Sequence, residues 1–304
     1  MIEVIFLGSG GVMPTKSRKT VSIVIRREGE LSLFDCGEGC QEGFTWGGLG
    51  VNKPLNIFIT HLHGDHILGL PGLLMSLDML GRDKGINLIG PRGLTTFIKN
   101  VLEMTYHEVS YKISVKELGK DREVAFKGDD YKVLAIKVKH TVPCYAYVVV
   151  ERDKPGRFLP EKALELGVPR GPLWKRLQRG EEVVLPDGRV IKPFEVVEGK
   201  RPGLKVVYSG DTRPCSQLMW AALGADLLIH EATFTFEYYL KAMENGHTTA
   251  LEAGELASFS GVKRLALAHI SPRYEGCEDK LASEASLAYD GEIIIAEDWL
   301  KLRL

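Results

Sequence analysis

With 304 residues, 44% of them apolar, and a formal net charge of −1, the chain can bury a large core as one sizeable domain. It lacks the overall positive charge of a nonspecific nucleic-acid binder. No stretch approaches the roughly 18 apolar residues of a membrane span, and the opening segment has neither a basic leader nor a long apolar region, so a cytoplasmic protein is expected. Five cysteines (Cys36, Cys40, Cys144, Cys215, Cys277) form no CxxC pair and are odd in number. They read as small buried hydrophobes rather than a disulfide framework or a thiolate zinc knuckle.

Short β-branched runs bounded by turn residues predict strands at Ile2–Leu7, Thr20–Arg26, Leu31–Phe34, Asn56–Thr60, Asn87–Ile89, Tyr131–Val138 and Tyr145–Glu151. Further strands are predicted at Lys205–Tyr208, Leu227–Ile229, Arg264–Ala268 and Glu292–Ala296. Helical patterns fall at Ile67–Leu80, Arg92–Tyr106, Pro214–Leu223, Thr249–Ser260 and Leu281–Ala288. Alternation of this kind implies an α/β layering with helices on the sheet faces. Residues 152–204 break the rhythm, being rich in Pro, Gly and charge, and are expected to offer little to a core. So long a segment inside a compact domain usually has a function or is disordered. Between positions 152 and 180 stand eight basic residues, Arg152, Lys154, Arg157, Lys162, Arg170, Lys175, Arg176 and Arg179, against three acidic ones. Lys16, Arg18, Lys19, Arg26 and Arg27 form a second basic stretch.

The strongest motif is Thr60-His61-Leu62-His63-Gly64-Asp65-His66, directly after an apolar strand and before an apolar helix. Imidazoles and a carboxylate crowded on one strand-to-helix turn suit borderline cations such as zinc, and Gly64 permits a tight bend. This HxHxDH pattern resembles the metallo-β-lactamase superfamily. The resemblance extends over essentially the whole chain and implies an αβ/βα sandwich of two β-sheets flanked by helices. It also implies further ligands, matched here by His140, Asp211 in Ser209-Gly210-Asp211-Thr212, and His269. Each follows a predicted strand, where open α/β sheets place their sites. The implied set is His61, His63 and His140 on one Zn2+ ion, Asp65, His66 and His269 on a second, and Asp211 bridging them. Two such ions can activate water and stabilise both oxygens of an in-line displacement, but the motif alone does not choose among phosphodiester, β-lactam, thioester and sulfate-ester substrates.

Smaller motifs are similar to those of the ribonuclease Z family. His230-Glu231-Ala232-Thr233-Phe234, followed after a helical stretch by His247-Thr248-Thr249, resembles the pair in which the Glu orients a His acting as general acid. Gly10-Gly11-Val12-Met13-Pro14-Thr15-Lys16-Ser17-Arg18-Lys19 looks like the family's PxKxRN loop, with Lys19 where Asn is usual. It implies Lys16 and Arg18 as phosphate or tRNA contacts and leaves Lys19 without a role. The glycines of Gly8–Gly11 could cradle a phosphate or simply turn the chain. Gly167-Val168-Pro169-Arg170-Gly171-Pro172-Leu173-Trp174 resembles the glycine-proline hand of a protruding flexible arm, which places that arm at 152–204 with Gly171 and Pro172 as substrate contacts. His269-Ile270-Ser271-Pro272-Arg273-Tyr274 adds Arg273.

The resemblance implies an endoribonuclease that removes the 3′ trailer from precursor tRNA and works as a homodimer, the arm of one subunit holding tRNA for the other. Asp65 would hold the attacking water, and His247, polarised by Glu231, would protonate the leaving oxygen. The tRNA would keep a 3′-hydroxyl and the trailer a 5′-phosphate. Asp35 could support a ligand histidine or cap a turn. A small-molecule hydrolase of the same fold would keep the ligands and have no use for the arm, while a non-catalytic RNA-binding relative would be expected to lack ligands.

Overall fold

The computed structural model describes residues 2–154 and 156–304; Pro155, in the Pro- and Gly-rich stretch noted above, lies outside them, as does Met1. Strand Ile2–Gly8 shows how the sequence builds the main unit, residues 1–149 and 204–304. Every residue of the strand is buried, because its two faces serve two cores. Ile2, Val4 and Phe6 join a cluster with Phe34, Phe58, Tyr147 and Tyr208, drawn from both sheets. Ile5 and Leu7 instead pack with Leu70, Leu73, Leu74 and Leu77 of helix Gly69–Met79. A strand covered on both faces needs a continuous apolar run.

Two seven-stranded sheets result. The first runs, in spatial order, Lys301–Arg303, Ile2–Gly8, Ser22–Arg27, Glu30–Phe34, Leu55–Phe58, Ile86–Pro91, Ile113–Leu118. The second runs Glu292–Ile295, Arg264–Ala268, Leu227–Glu231, Lys205–Tyr208, Cys144–Glu151, Tyr131–Val138, Arg122–Lys127. The Phe34 and Phe58 rings stack at 4.9 Å, with Tyr147 5.4 Å from Phe58. The strands at 30–34, 55–58 and 86–91 are parallel, as are those at 205–208, 227–231 and 264–268, so their following loops emerge on one edge of each sheet. This is the αβ/βα sandwich expected from the sequence.

Ile113–Leu118, Arg122–Lys127 and Lys301–Arg303 were not legible as strands. All three are sheet edges, and edge strands escape the apolar patterning that a covered strand requires.

Residues Val150–Gly203 form a second compact unit, which corrects the expectation that 152–204 offers little to a core. Phe158, Ala163, Val168, Leu177, Val183, Leu185, Ile191 and Val196 form an apolar cluster of their own. The prolines that suggested an irregular loop open three helices, Pro160–Glu165, Pro172–Gln178 and Pro193–Val196, where a fixed φ and a missing N–H cost nothing. A two-stranded ribbon pairs Val183–Val184 with Val190–Ile191. Among the described residues no helix is long and apolar enough to cross a membrane.

Candidate metal centre and active site

Loops at the strand ends bring the seven predicted ligands together in the main unit, six from loops after parallel strands and His140 from the loop between Tyr131–Val138 and Cys144–Glu151. His61, His63, His140 and Asp211 form one group of converging ligand atoms, and Asp65, His66 and His269 a second. Asp211 Oδ2 lies 3.3 Å from both His66 Nε2 and His269 Nε2 and 3.7 Å from His61 Nε2, between the two groups. Ring contacts run His63–His140 at 5.0 Å, His61–His66 at 4.1 Å and His66–His269 at 5.1 Å.

The residues fit metal ions. His140 Nδ1 bonds Gly246 O at 2.9 Å and His61 Nδ1 lies 2.9 Å from Thr60 Oγ1, so each ring presents Nε2 inward as a lone pair. Both lone pairs face His63 Nδ1, at 3.0 and 3.2 Å, and one proton there cannot serve both. Among the described residues, His66 Nε2 and Asp211 Oδ1 are buried without a well-formed hydrogen bond, an arrangement that costs free energy unless a cation or water takes it up. Imidazole and carboxylate are zinc-type donors.

Asp35 supports the ligands and also shapes a turn, with φ of 56°. It accepts from His66 Nδ1 at 2.8 Å, Thr60 N at 2.7 Å, Thr60 Oγ1 at 2.9 Å and Tyr208 Oη at 2.7 Å. Asp65 Oδ2 accepts the Val12 N–H at 2.7 Å and lies 3.1 Å from His269 Nε2. Gly11 is required for close approach: a Cβ there would sit 2.4 Å from the His269 ring. Gly8 is packed as closely, a Cβ there meeting Thr20 O at 2.0 Å, and the Gly10 and Gly11 N–H groups donate to Lys19 O and Ile270 O at 2.9 and 3.0 Å. Burial lowers the pKa of His61, with His66 adding to the effect, while for His66 burial is outweighed by Asp211 and Asp35, which raise it.

Beside the ligands, His247 Nδ1 lies 3.1 and 3.2 Å from the oxygens of Glu231. Glu231 is fully buried and also accepts from Thr212 N at 2.7 Å and Thr233 Oγ1 at 2.6 Å. Burial disfavours the charged form of His247, but the Glu231 carboxylate, its hydrogen bond and Asp211 raise the pKa to about 9. Burial would raise the Glu231 carboxyl, yet the His247 charge and hydrogen bond hold it below the usual range. Arg213 braces this loop, donating to His247 O at 2.6 Å while pairing with Glu252.

His63, Asp65, Asp211, His247, His269 and Arg273 all line one open pocket of about 690 Å³. The Arg273 guanidinium lies over the Tyr238 ring at 4.3 Å. Lys16 is exposed and outside this lining. Arg18 is a correction: it is buried, with Nη1 donating to Ser9 Oγ at 2.6 Å and to Ala296 O, and Nη2 3.3 Å from Glu278. Its donors are committed inside the fold, so it is not a phosphate contact. Lys19 gains a structural account, with Nζ 2.5 Å from Glu42 and over the Trp299 and Trp46 rings. Gly171 is exposed, with φ of 144°, and Pro172 opens a helix of the 150–203 unit. All five cysteines are free, four of them buried and Cys277 half-buried.

Sequence reasoning missed Lys241 and Asn245, which also line the pocket. They stand four apart on helix Tyr239–Asn245, the spacing that shares one helix face, and that spacing was the available signal. Thr233 stands inside the His230–Phe234 motif, and nothing in the sequence marks it for a role.

Three overlapping groups of converging ligand atoms, the third being Asp211, His247 and His269, in a fold of this class mark the chain as a metal-dependent hydrolase, in line with its relatives. A family described as "Anti-Pycsar protein Apyc1" matches residues 2–152, which include His61 through His140 and end before Asp211. The chain is 44% identical over 299 residues to ribonuclease Z of Haloferax volcanii, covering 98% of this chain and 94% of that protein. It is 45% identical over 278 residues to ribonuclease Z of Methanothermobacter thermautotrophicus, covering 91% and 89%. Human tRNase Z, short form, superposes with a TM-score of 0.73 at 28% identity, covering 99% of this chain and 98% of that one. A metallo-β-lactamase fold protein, YhfI of Bacillus subtilis, superposes with a TM-score of 0.69 at 21% identity over 99% and 98% of the two chains, and supports the fold alone. The chain belongs to the ribonuclease Z family.

Proposed function

We propose that this chain is an endoribonuclease that removes the 3′ trailer from precursor tRNA, leaving a 3′-hydroxyl on the tRNA and a 5′-phosphate on the trailer. The observation that carries the reading is the Glu231–His247 pair, at 3.1 Å, opening on the same pocket as both ligand groups. A ribose oxygen is a poor leaving group, and a histidine protonated at neutral pH beside the reacting centre is what its departure needs.

His61, His63 and His140 would hold one Zn2+, Asp65, His66 and His269 the other, and Asp211 both. When bound, the two ions supply an activated water and charge neutralisation for in-line displacement. Asp65 would orient the attacking water. Glu231 keeps the proton of His247 at Nδ1, leaving Nε2 to face the leaving oxygen. Arg273, stacked on Tyr238, adds positive charge at the pocket wall.

The 152–204 arm is proposed as the tRNA-holding exosite. Its eight basic residues between 152 and 180 are all exposed, which suits binding through phosphates without reading sequence. Gly171 and Pro172 stand among them, and Lys16 is a further exposed cation for the backbone. We place the enzyme in the cytoplasm as a homodimer in which one subunit's arm serves the other's site. Incubation with end-labelled precursor tRNAs, with and without a 3′ CCA, beside bis-nitrophenyl phosphate tests this. Cleavage at the mature 3′ end supports the assignment, and hydrolysis of the small diester with no tRNA cleavage overturns it.

A further inference from the structure

The ligand nitrogens that point away from the centre are held by two threonine hydroxyls placed in the same way. Thr60 Oγ1 donates to Asp35 Oδ2 at 2.9 Å and lies 2.9 Å from His61 Nδ1. Thr233 Oγ1 donates to Glu231 Oε2 at 2.6 Å and lies 2.8 Å from His269 Nδ1. All six residues are buried, so no solvent substitutes for these bonds. A hydroxyl has one proton. With that proton on the carboxylate, its oxygen can only accept, and the ring nitrogen beside it must be the donor. The reverse orientation would leave Thr233 Oγ1 2.6 Å from a carboxylate oxygen with no proton between them.

Thr233 differs from Thr60 in what its carboxylate does. Glu231 is the partner of His247, and the His247 and His269 rings stack at 5.3 Å with an interplanar angle of 24°. Both histidines therefore hang by Nδ1–H from one carboxylate, His247 directly and His269 through the Thr233 hydroxyl. Resting on the general-acid reading above, we propose that Thr233 is a positioning residue that couples the two halves of the active site. It holds His269 in the Nδ1–H form, with Nε2 free for a metal, and its own proton anchors Glu231 Oε2, which itself lies 3.2 Å from His247 Nδ1. Thr60 is the matching support for His61, without the link to the acid.

The test compares Thr233→Val, Thr233→Ser and Thr60→Val in the zinc-loaded protein. Zinc retention is titrated with a chromophoric chelator, and precursor tRNA and bis-nitrophenyl phosphate are cleaved at saturating zinc. Loss of a hydrogen bond that orients a ligand weakens metal binding by about 10–100-fold, so Thr233→Val should release one zinc equivalent that much more readily. With zinc restored by excess, its ratio of tRNA to nitrophenyl ester cleavage should fall by about tenfold or more, because only the tRNA reaction needs the acid. Thr233→Ser should recover both properties. Thr60→Val should weaken zinc binding and leave the ratio unchanged. Wild-type zinc retention in Thr233→Val, an unchanged substrate ratio, or a serine variant as impaired as the valine one overturns the proposal. If Thr233→Val does not fold, Thr233→Ala read against Thr233→Ser makes the same comparison. Should wild type not cut tRNA, the general-acid reading fails with it, and the chelator titration alone still decides whether Thr233 holds His269.

Discussion

Replacing His247 with alanine separates chemistry from scaffolding. Its ring is only 12% exposed, and Nδ1 is 3.1 Å from Glu231 and 3.8 Å from Asp211 Oδ2, so the hydrogen bond to Glu231 dominates its surroundings. General acid catalysis contributes about 10²–10⁴-fold, or about 2.7–5.4 kcal/mol of barrier. His247→Ala should lower kcat for precursor tRNA by that factor with metal content intact. A nitrophenolate leaves readily without a proton, so bis-nitrophenyl phosphate hydrolysis should suffer far less. Glu231→Gln should act in the same direction, and the double variant should be little worse than the worse single one, because the two residues act as a unit. The raised pKa of His247, about 9, means that the acid is present below that pH and disappears as pH rises through it. Glu231→Gln removes the charge that raises it, so the alkaline limb of the tRNA rate profile should move to lower pH. Equal losses on both substrates, or zinc missing from the His247 variant, would refute the assignment and make this residue a ligand or a structural support.

Metal analysis after dialysis against trace zinc should give two equivalents per chain; Asp211→Ala should weaken both and His63→Ala mainly one, since only Asp211 reaches both groups. A wild-type value near one would count against the paired centre. Deleting 152–204 should raise the Kd for tRNA and flatten its salt dependence by about 0.9 in log–log slope for each phosphate that the arm had neutralised, while hydrolysis of the small diester survives in the metal-loaded protein. Arg18→Met should cost stability on the order of 1.5–3 kcal/mol by stripping charged hydrogen bonds from the interior, read by thermal unfolding. The Kd for tRNA should stay unchanged, and a large rise in it for the folded variant would restore Arg18 as a substrate contact.

Buried strands such as Ile2–Gly8 and Cys144–Glu151 announced themselves because covering both faces demands a nearly continuous apolar run, interrupted here only by Glu3 and ended by Glu151. His61, His63, Asp65 and His66 were readable because ligands that share one turn must be close in the chain. His140, Asp211 and His269 stood at strand ends, and only the sheet brings them to that turn, Asp211 and His269 from parallel strands and His140 from a strand in antiparallel pairing. Arg18 and Arg273 look alike in sequence, as cations in motifs beside the site. The fold turned one inward, onto Ser9, Ala296 and Glu278, and left the other over Tyr238 in the pocket wall. The small core of residues 150–203 was hidden because its apolar residues are spaced by prolines that begin helices. Local spacing determined His61, His63, Asp65 and His66 and the covered strands, while His140, Asp211 and His269 came from the resemblance to the superfamily. Which side a guanidinium faces, and which hydroxyl lies between a carboxylate and an imidazole, depends on the packing of segments far apart in the chain, and only the tertiary structure decided them.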